Sequence, residues 1–130
     1  MIHCKRVYDP PADDDGRRVL VDRLWPRGMR KDDLRLDVWC KEAAPSTALR
    51  QWYRHEAAHH ELFRQRYRAE LAGHPEHWLP LLDLARKGRL TLLYAARDPQ
   101  CNHARVLAEF LEDELATWNE PGSPVCYAKY

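Results

Sequence analysis

The sequence predicts an α/β fold: a small domain of two or three layers, in which helices flank a short, mostly parallel sheet of about three strands. Two apolar runs carry this prediction, residues 19–21 and residues 90–96, because each has the composition of a strand buried on both faces. Helical patterns lie between these runs and after the second, as is typical of parallel sheets. The chain has 130 residues, of which 45% are hydrophobic, and is long enough to bury one core without disulfides or metals.

The strands follow from local pattern and turn chemistry. Residues 2–7 are predicted as the first strand, residues 18–22 as the second and residues 90–96 as the third. The loop before the second strand holds two prolines, an acidic run and an Asp-Gly pair, which predict a solvated turn; EF-hand calcium spacing is absent. Only about ten residues join the first two strands, which is short for a parallel crossover. The direction of the first strand, parallel or antiparallel, therefore stays open.

The clearest helix is predicted over residues 59–72. Leu62, Phe63, Tyr67 and Leu71 fall on one apolar stripe, and Gly73 is placed to end the helix.

Further helices have their own start and stop signals. One is predicted to begin at a cap near Pro45 or Ser46, and one covers residues 78–88 with Pro80 in its first turn. Another begins at Pro99, capped by Asp98, and runs to about residue 118. Residues 30–40 are predicted as a short helix or turn. We expect a single domain over residues 1–118 and a loosely ordered tail over residues 119–130, where two prolines and a glycine occur.

Composition limits the classes of partner. The formal net charge is +1, so there is no global positive field of the kind that drives non-specific nucleic-acid binding, and any anion site needs a local cluster of arginines. No run is apolar enough to span a bilayer and the N-terminus has no signal core, so we expect a cytoplasmic protein without a membrane partner. The four cysteines are scattered, which indicates free thiols in a reducing compartment.

Charged residues follow both apolar strands, and this predicts the functional site. The carboxyl ends of neighbouring parallel strands lie side by side, and ligands of open α/β sheets bind there. A helix N-terminus after Asp98 would add its dipole. We expect an anion-binding site, for phosphate or a nucleotide-like ligand, in which Asp22 and His103 transfer protons. The residues expected to bind the ligand are Arg23, Trp25, Arg27, Asp98 and Asn102.

Several alternatives stay open at this site. The same residues could form a non-catalytic module that binds a nucleotide or nucleic acid. They could also be structural, with Asp98 as a helix cap and Arg23 paired to Asp22 or Asp98. Cys101 near a helix N-terminus could have a lowered pKa, although its spacing from His103 suits a catalytic pair poorly.

Two further patterns suggest other ligands. A basic helix face at Arg64, Arg66 and Arg68 could contact nucleic acid, but a solvated face is favoured because glutamates dilute its charge. The run His55-Glu56-Ala57-Ala58-His59 matches the zincin motif of a zinc metallohydrolase. The motif needs one helix through Glu56 and a third ligand, and its surroundings are polar. We therefore expect no metal site. The sequence indicates neither a cofactor nor an oligomeric state.

The run Val21-Asp22-Arg23-Leu24-Trp25-Pro26-Arg27-Gly28 also carries a resemblance. Together with Lys41-Glu42, Pro45-Ser46, Leu49-Arg50 and residues 92–104, it resembles the YeaO-like branch of the bacterial domain-of-unknown-function 488 family, from about residue 4 to about residue 111. The resemblance implies a cytoplasmic bacterial α/β protein with no established activity. Longer members of the family carry Cys-His where this chain has Asn102-His103. The positions that this chain has in common with the family are therefore Asp22, Arg23, Pro26, Arg27 and His103. The absence of the family cysteine at position 102 weakens a thiol mechanism.

Overall fold

A computed structural model describes residues 2–54 and 57–119, which form a four-stranded sheet and five α-helices. The strands are β1 (Ile2–Arg6), β2 (Arg17–Leu20), β3 (Val38–Trp39) and β4 (Leu90–Tyr94). The helices are α1 (Lys31–Leu34), α2 (Thr47–Tyr53), α3 (His60–Gly73), α4 (Leu79–Lys87) and α5 (His103–Asn119). The predicted α/β class is confirmed.

The sheet is parallel throughout, in the order β1-β4-β2-β3. Ile2 and Arg17 both pair with Leu90, so β4 lies between the first two strands. This resolves the direction of the first strand. Because β1 and β2 are not neighbours, the short link between them does not have to form a crossover between adjacent parallel strands.

The strand that was not predicted, β3, lies in residues 30–40, which were predicted as a short helix or turn. That segment holds both the single-turn helix α1 and the two-residue strand β3, whose residues pair with Val19 and Leu20 of β2. A two-residue strand is too short to show an alternating pattern. The sequence therefore predicted about three strands, whereas the sheet has four.

Two apolar clusters cover the two faces of the sheet. Every residue of β4 is buried, and its successive side chains point to opposite faces. Leu92 belongs to the larger cluster, which includes core residues of α2 to α5, and Leu93 belongs to a smaller cluster with Leu34 of α1. This double coverage explains why the strand is a continuous apolar run.

The acidic run before β2 is a solvated turn, as predicted, at Asp13 and Asp14, which are exposed, but not at Asp15. It forms a single 3-10 turn, and the Asp15 side chain is buried, with ion pairs to Arg18 and, at 3.0 Å, to Lys5. Gly16 follows with a φ of +67°, and a β-carbon there would lie 2.3 Å from the carbonyl oxygen of Arg89. The Asp-Gly pair therefore closes a packed junction between the β2 and β4 strands.

The helix predictions are mostly confirmed, with shifts at the ends. Ser46 caps α2, since its hydroxyl accepts the Leu49 N–H at 3.1 Å, and Pro80 lies in the first turn of α4. In α3 the apolar stripe is buried except at Leu62, whose side chain is 43% exposed. Gly73 is the last residue of α3.

Two further expectations concern the C-terminal tail and membrane-spanning helices. Almost all of the tail expected over residues 119–130 lies outside the described residues. Within the described part, no helix combines the length and the apolar character needed to cross a membrane.

Candidate functional site

A cavity of about 390 Å³ lies at the carboxyl ends of the strands. Residues 22–27, which follow β2, form one wall, and Ala95 and Ala96, which follow β4, form another. The rest of the lining comes from Tyr8, Ala44, Pro45, Arg50, Tyr53, Phe63 and His103. This is the edge of the sheet at which ligand sites of parallel α/β folds occur.

Five of the seven residues predicted for the site line this cavity. They are Asp22, Arg23, Trp25, Arg27 and His103. The two remaining residues, Asp98 and Asn102, do not line it.

Asp98 and Asn102 instead hold the turn that precedes α5. The exposed Asp98 carboxylate accepts the N–H groups of Gln100 and Cys101 at 2.9 and 3.1 Å, and these bonds lower its pKa. Asn102 is fully buried and caps the helix, with its amide oxygen 3.0 Å from the Arg105 N–H and its amide nitrogen 2.8 Å from the Asp98 carbonyl. The helix therefore begins at His103, not at Pro99, and Asp98 stabilises the preceding turn instead of capping the helix.

Asp22 and His103 join the end of β2 to the start of α5. Asp22 Oδ2 accepts the Ala95 N–H at 2.9 Å, and Oδ1 lies 3.0 Å from His103 Nε2. His103 Nε2 also lies 3.0 Å from the Val21 carbonyl oxygen and is aligned with it, whereas Asp22 Oδ1 has no aligned donor. Because a carbonyl can only accept, this contact places a proton on Nε2.

Three arginines of the cavity lack acidic partners. Within residues 2–54 and 57–119, Arg23, Arg27 and Arg50 form no ion pair, so Arg23 is not paired to Asp22 or Asp98. The Nε atoms of Arg23 and Arg50 are buried without a hydrogen-bond partner, and an Arg23 Nη donates to the Pro45 carbonyl at 3.4 Å. Unpaired guanidinium groups around one cavity produce a local positive field, although the net charge of the chain is only +1.

The wall formed by residues 22–27 is anchored by aromatic side chains. Trp25 is half-buried and packs edge-on against Trp39, with ring centroids 5.4 Å apart, and its Nε1 donates to the Met29 carbonyl at 2.8 Å. Trp39 Nε1 donates to the Asp22 carbonyl at 2.8 Å, and the Tyr8 hydroxyl donates to the Arg27 carbonyl at 3.1 Å. The charged residues of this wall are therefore held by packing at several points.

Sequence reasoning missed Arg50, Tyr53 and Phe63 as lining residues. The rings of Tyr53 and Phe63 stack at 4.1 Å, and burial raises the pKa of Tyr53 to about 12. The Leu49-Arg50 pair belongs to the family resemblance, which was the one available signal for Arg50. Sheet topology gave no signal, because these residues come from helices whose packing it does not specify.

The geometry gives no support to two of the alternatives. Burial, with Asp98 next to it, raises the pKa of Cys101, which is the opposite of the lowered pKa that a nucleophilic thiol needs. The basic face on α3 is neutralised in part by α5, because Arg64 pairs with Glu109 and Arg68 with Asp113. These pairs favour the structural interpretation over a nucleic-acid surface.

The described residues of the zincin motif, Ala57–His59, do not form an α-helix. The helix α2 ends at Tyr53 because Arg54 adopts a left-handed conformation with φ of 48°, and Ala57–His59 is a 3-10 turn. His55 and Glu56 lie outside the described residues. Among the described ones, His74, Glu76 and His77 are a group that could hold a metal, with ligand atoms within 4.8 Å of one another, and they lie on a separate, mostly exposed turn.

Comparison with known proteins gives the family. A family model described as "Inactive DUF488-N3 subclade" matches residues 1–128. The chain belongs to the DUF488 family. Its relatives in this family include the uncharacterized protein YeaO of Escherichia coli, 54% identical over 110 residues, which cover 85% of this chain and 96% of the relative. Uncharacterized proteins of Mycobacterium tuberculosis and Mycobacterium bovis are 44% identical over 111 residues, covering 85% of this chain and 92% of each relative. No solved structure matches this DUF488 chain.

Proposed function

We propose that the protein is a binding module that holds a small anionic ligand in the cavity at the carboxyl ends of β2 and β4. The observation that carries the proposal is the set of three lining arginines without acidic partners. Arg23 and Arg50 are partly buried, and each has a buried Nε atom without a hydrogen-bond partner, whereas the buried Arg18 is paired with Asp15. Guanidinium groups suit phosphate or carboxylate, because they donate paired hydrogen bonds to planar or tetrahedral oxyanions.

The Asp22–His103 pair has a positioning role in this proposal. The Ala95 N–H holds one carboxylate oxygen of Asp22, and the Val21 carbonyl engages the proton on His103 Nε2. A ring nitrogen that already carries a proton and donates it to a backbone carbonyl is a poor general base. The family description, "Inactive DUF488-N3 subclade", and the use of Asn102 as a helix cap support binding without chemistry.

An enzyme that uses Asp22 and His103 for proton transfer is the second candidate. It is favoured by one observation: both side chains line the cavity, and the Asp22 Oδ1 atom, which has no aligned donor, lies 3.0 Å from His103 Nε2. The two candidates use the same anion site and differ in what Asp22 contributes.

The location in the cytoplasm is part of the proposal. Cys4, Cys40 and Cys101 are free thiols, as suits a reducing compartment in which small phosphorylated and carboxylated metabolites are abundant.

Calorimetric titration with inorganic phosphate, acetate, benzoate and adenosine monophosphate tests the proposal. We expect at least one of these anions to bind, and Arg50→Gln to weaken its binding about tenfold or more, the loss typical of one charge-assisted hydrogen bond. Arg17→Gln is the matched control, because Arg17 is exposed at the opposite, amino-terminal end of β2. Equal affinities of the two variants would contradict the proposal.

The same ligand separates the two candidates. For a binding module, neither the wild type nor Asp22→Asn converts the ligand, and Asp22→Asn alters its affinity modestly. For an enzyme, the wild type converts the ligand and Asp22→Asn abolishes conversion while retaining binding. Product analysis by mass spectrometry after long incubation decides between them.

A further inference from the structure

We infer that the ligand is an amphipathic anion, with a flat, mainly apolar body and one anionic end, as in an aromatic carboxylate. This inference rests on the proposed anion-binding function and adds the class of ligand. It follows from the parts of the cavity lining that are not arginine.

Apolar side chains make up most of the lining. They include Leu24, Trp25, Pro26, Pro45, Tyr53 and Phe63. The three arginines and Asp22 supply the charged groups, and His103 supplies a polar ring. A ligand whose surface is mainly polar would have to leave many of its hydrogen-bonding groups unpaired against these walls.

Two large apolar side chains at the cavity are exposed to solvent. Leu24 is 70% exposed and Tyr8 is 46% exposed. Both belong to the lining, and they stand beside the charged segment that carries Arg23 and Arg27. An exposed apolar surface next to unpaired cations matches a ligand with an apolar body beside an anionic end, because each part then meets its complement.

The rigid and aromatic side chains of the apolar walls favour a rigid, aromatic ligand body. Tyr53 and Phe63 present stacked rings with planes 16° apart, and Pro26 and Pro45 are buried residues with a restricted backbone. The cavity volume of about 390 Å³ lies at the lower end of the range of about 300–1,000 Å³ that encloses small organic ligands. A bare phosphate ion would leave the apolar walls in contact with water.

A sugar phosphate fits less well. Among the described residues, no lysine, serine, threonine, asparagine or glutamine lines the cavity to bind the hydroxyl groups of a sugar. The N-terminus of α5, which could have received a phosphate, is capped by the Asn102 side chain.

Titration with naphthoate tests the inference, with naphthamide, acetate and inorganic phosphate as comparison probes. We expect naphthoate to bind at least tenfold more tightly than acetate or phosphate, and naphthamide to bind at least tenfold more weakly than naphthoate. Leu24→Gln should weaken naphthoate about tenfold, the effect of losing one buried leucine contact, and leave phosphate affinity unchanged. The fold should tolerate this change because Leu24 is exposed. Leu62→Gln is the control, because Leu62 is also an exposed leucine and lies on α3 outside the cavity.

The outcomes of these titrations distinguish failure of the ligand class from failure of the proposed anion-binding function. If phosphate or acetate binds as tightly as naphthoate, or if Leu24→Gln and Leu62→Gln behave alike, the ligand class is wrong and the anion site stands. If naphthamide binds as tightly as naphthoate, or if no anion binds to the wild type, both the ligand class and the proposed function are wrong.

Discussion

The carboxylate of Asp15 and the guanidinium of Arg18 form an ion pair in which each side chain is 6% exposed. Lys5 contacts the same carboxylate at 3.0 Å, and the Ala12 N–H donates to it at 3.0 Å. Arg18 in turn donates to the Leu34 carbonyl at 2.9 Å. This pair ties the loop after β1 to β2 and α1, near the amino-terminal end of β2, whereas the cavity lies at its carboxyl end.

Replacing one partner of this pair should destabilise the fold strongly. Asp15→Asn leaves Arg18 buried without its counter-ion, and we expect a loss of about 3–5 kcal/mol in the free energy of unfolding. Urea denaturation measures it. Asp14→Asn is the control, because Asp14 is exposed in the same turn, and it should change stability by less than about 0.5 kcal/mol. Equal effects of the two changes would contradict the structural role of Asp15.

The same carboxylate predicts a pH dependence. Burial alone would raise the pKa of Asp15, but the bonds from the Ala12 N–H, Lys5 and Arg18 outweigh it, so the pKa lies below its ordinary value of 3.8. A lowered pKa in the folded state stabilises the fold above the ordinary pKa, and this contribution is lost as the pH falls through the folded-state value. Urea midpoints measured from about pH 6 to about pH 3 should therefore fall more steeply for the wild type than for Asp15→Asn. Parallel curves would show that Asp15 does not contribute.

Gly16 and Gly73 should respond oppositely to alanine. At Gly16 the φ of +67° and the Arg89 carbonyl leave no room for a β-carbon, so Gly16→Ala should cost about 2 kcal/mol or more. At Gly73, the last residue of α3, nothing lies within 4 Å of such a carbon. Gly73→Ala should raise stability by up to about 1 kcal/mol, because alanine favours the helix. Thermal melting of both variants checks the signs.

Arg50 should reduce the stability of the unliganded protein. Its Nε atom is buried without a partner, and other arginines line the same cavity. Arg50→Met keeps the apolar stem and removes the charge, and we expect it to raise the free energy of unfolding by about 0.5–1 kcal/mol while ligand binding is lost. Arg17→Met should leave both properties unchanged. A loss of more than about 1 kcal/mol at Arg50 would reveal a structural partner for its guanidinium.

Metal removal should leave the protein unchanged. A chelator is expected not to alter the melting temperature, because the apolar core around Phe63, Tyr67 and Leu107 is closed without a metal. Elemental analysis of untagged protein, followed by melting with and without the chelator, measures this. One equivalent of zinc, with a drop in melting temperature that His55→Ala reproduces, would instead support the zincin motif.

The site residues that follow the strands were predictable from the sequence, and those that belong to helices α2 and α3 were not. Asp22 and Arg23 directly follow an apolar strand, so topology alone brings them to the carboxyl edge. Arg50 and Phe63 reach the cavity from α2 and α3, and their approach depends on how these helices pack on the sheet. Asp98 and Asn102 were misplaced because an Asp-Pro step is a good helix start, whereas the buried Asn102 amide makes the better cap four residues later.

The burial of Asp15 was also missed. Arg18 is only three residues away along the chain, but Lys5 belongs to β1, and the sequence pattern did not show that both cations contact one carboxylate. Strand β3 was missed for a related reason, since its two residues gain their extended form from pairing with β2.

The position of β4 bears on how the chain is synthesised. The two strands made first, β1 and β2, each pair with β4, which is made last of the four. A nascent chain that has not yet passed residue 94 cannot assemble the centre of its sheet, and the apolar side chains of β2 stay without their main partner. The native sheet can therefore form only after β4 has been made, and until then the apolar side chains of the first half stay exposed to solvent.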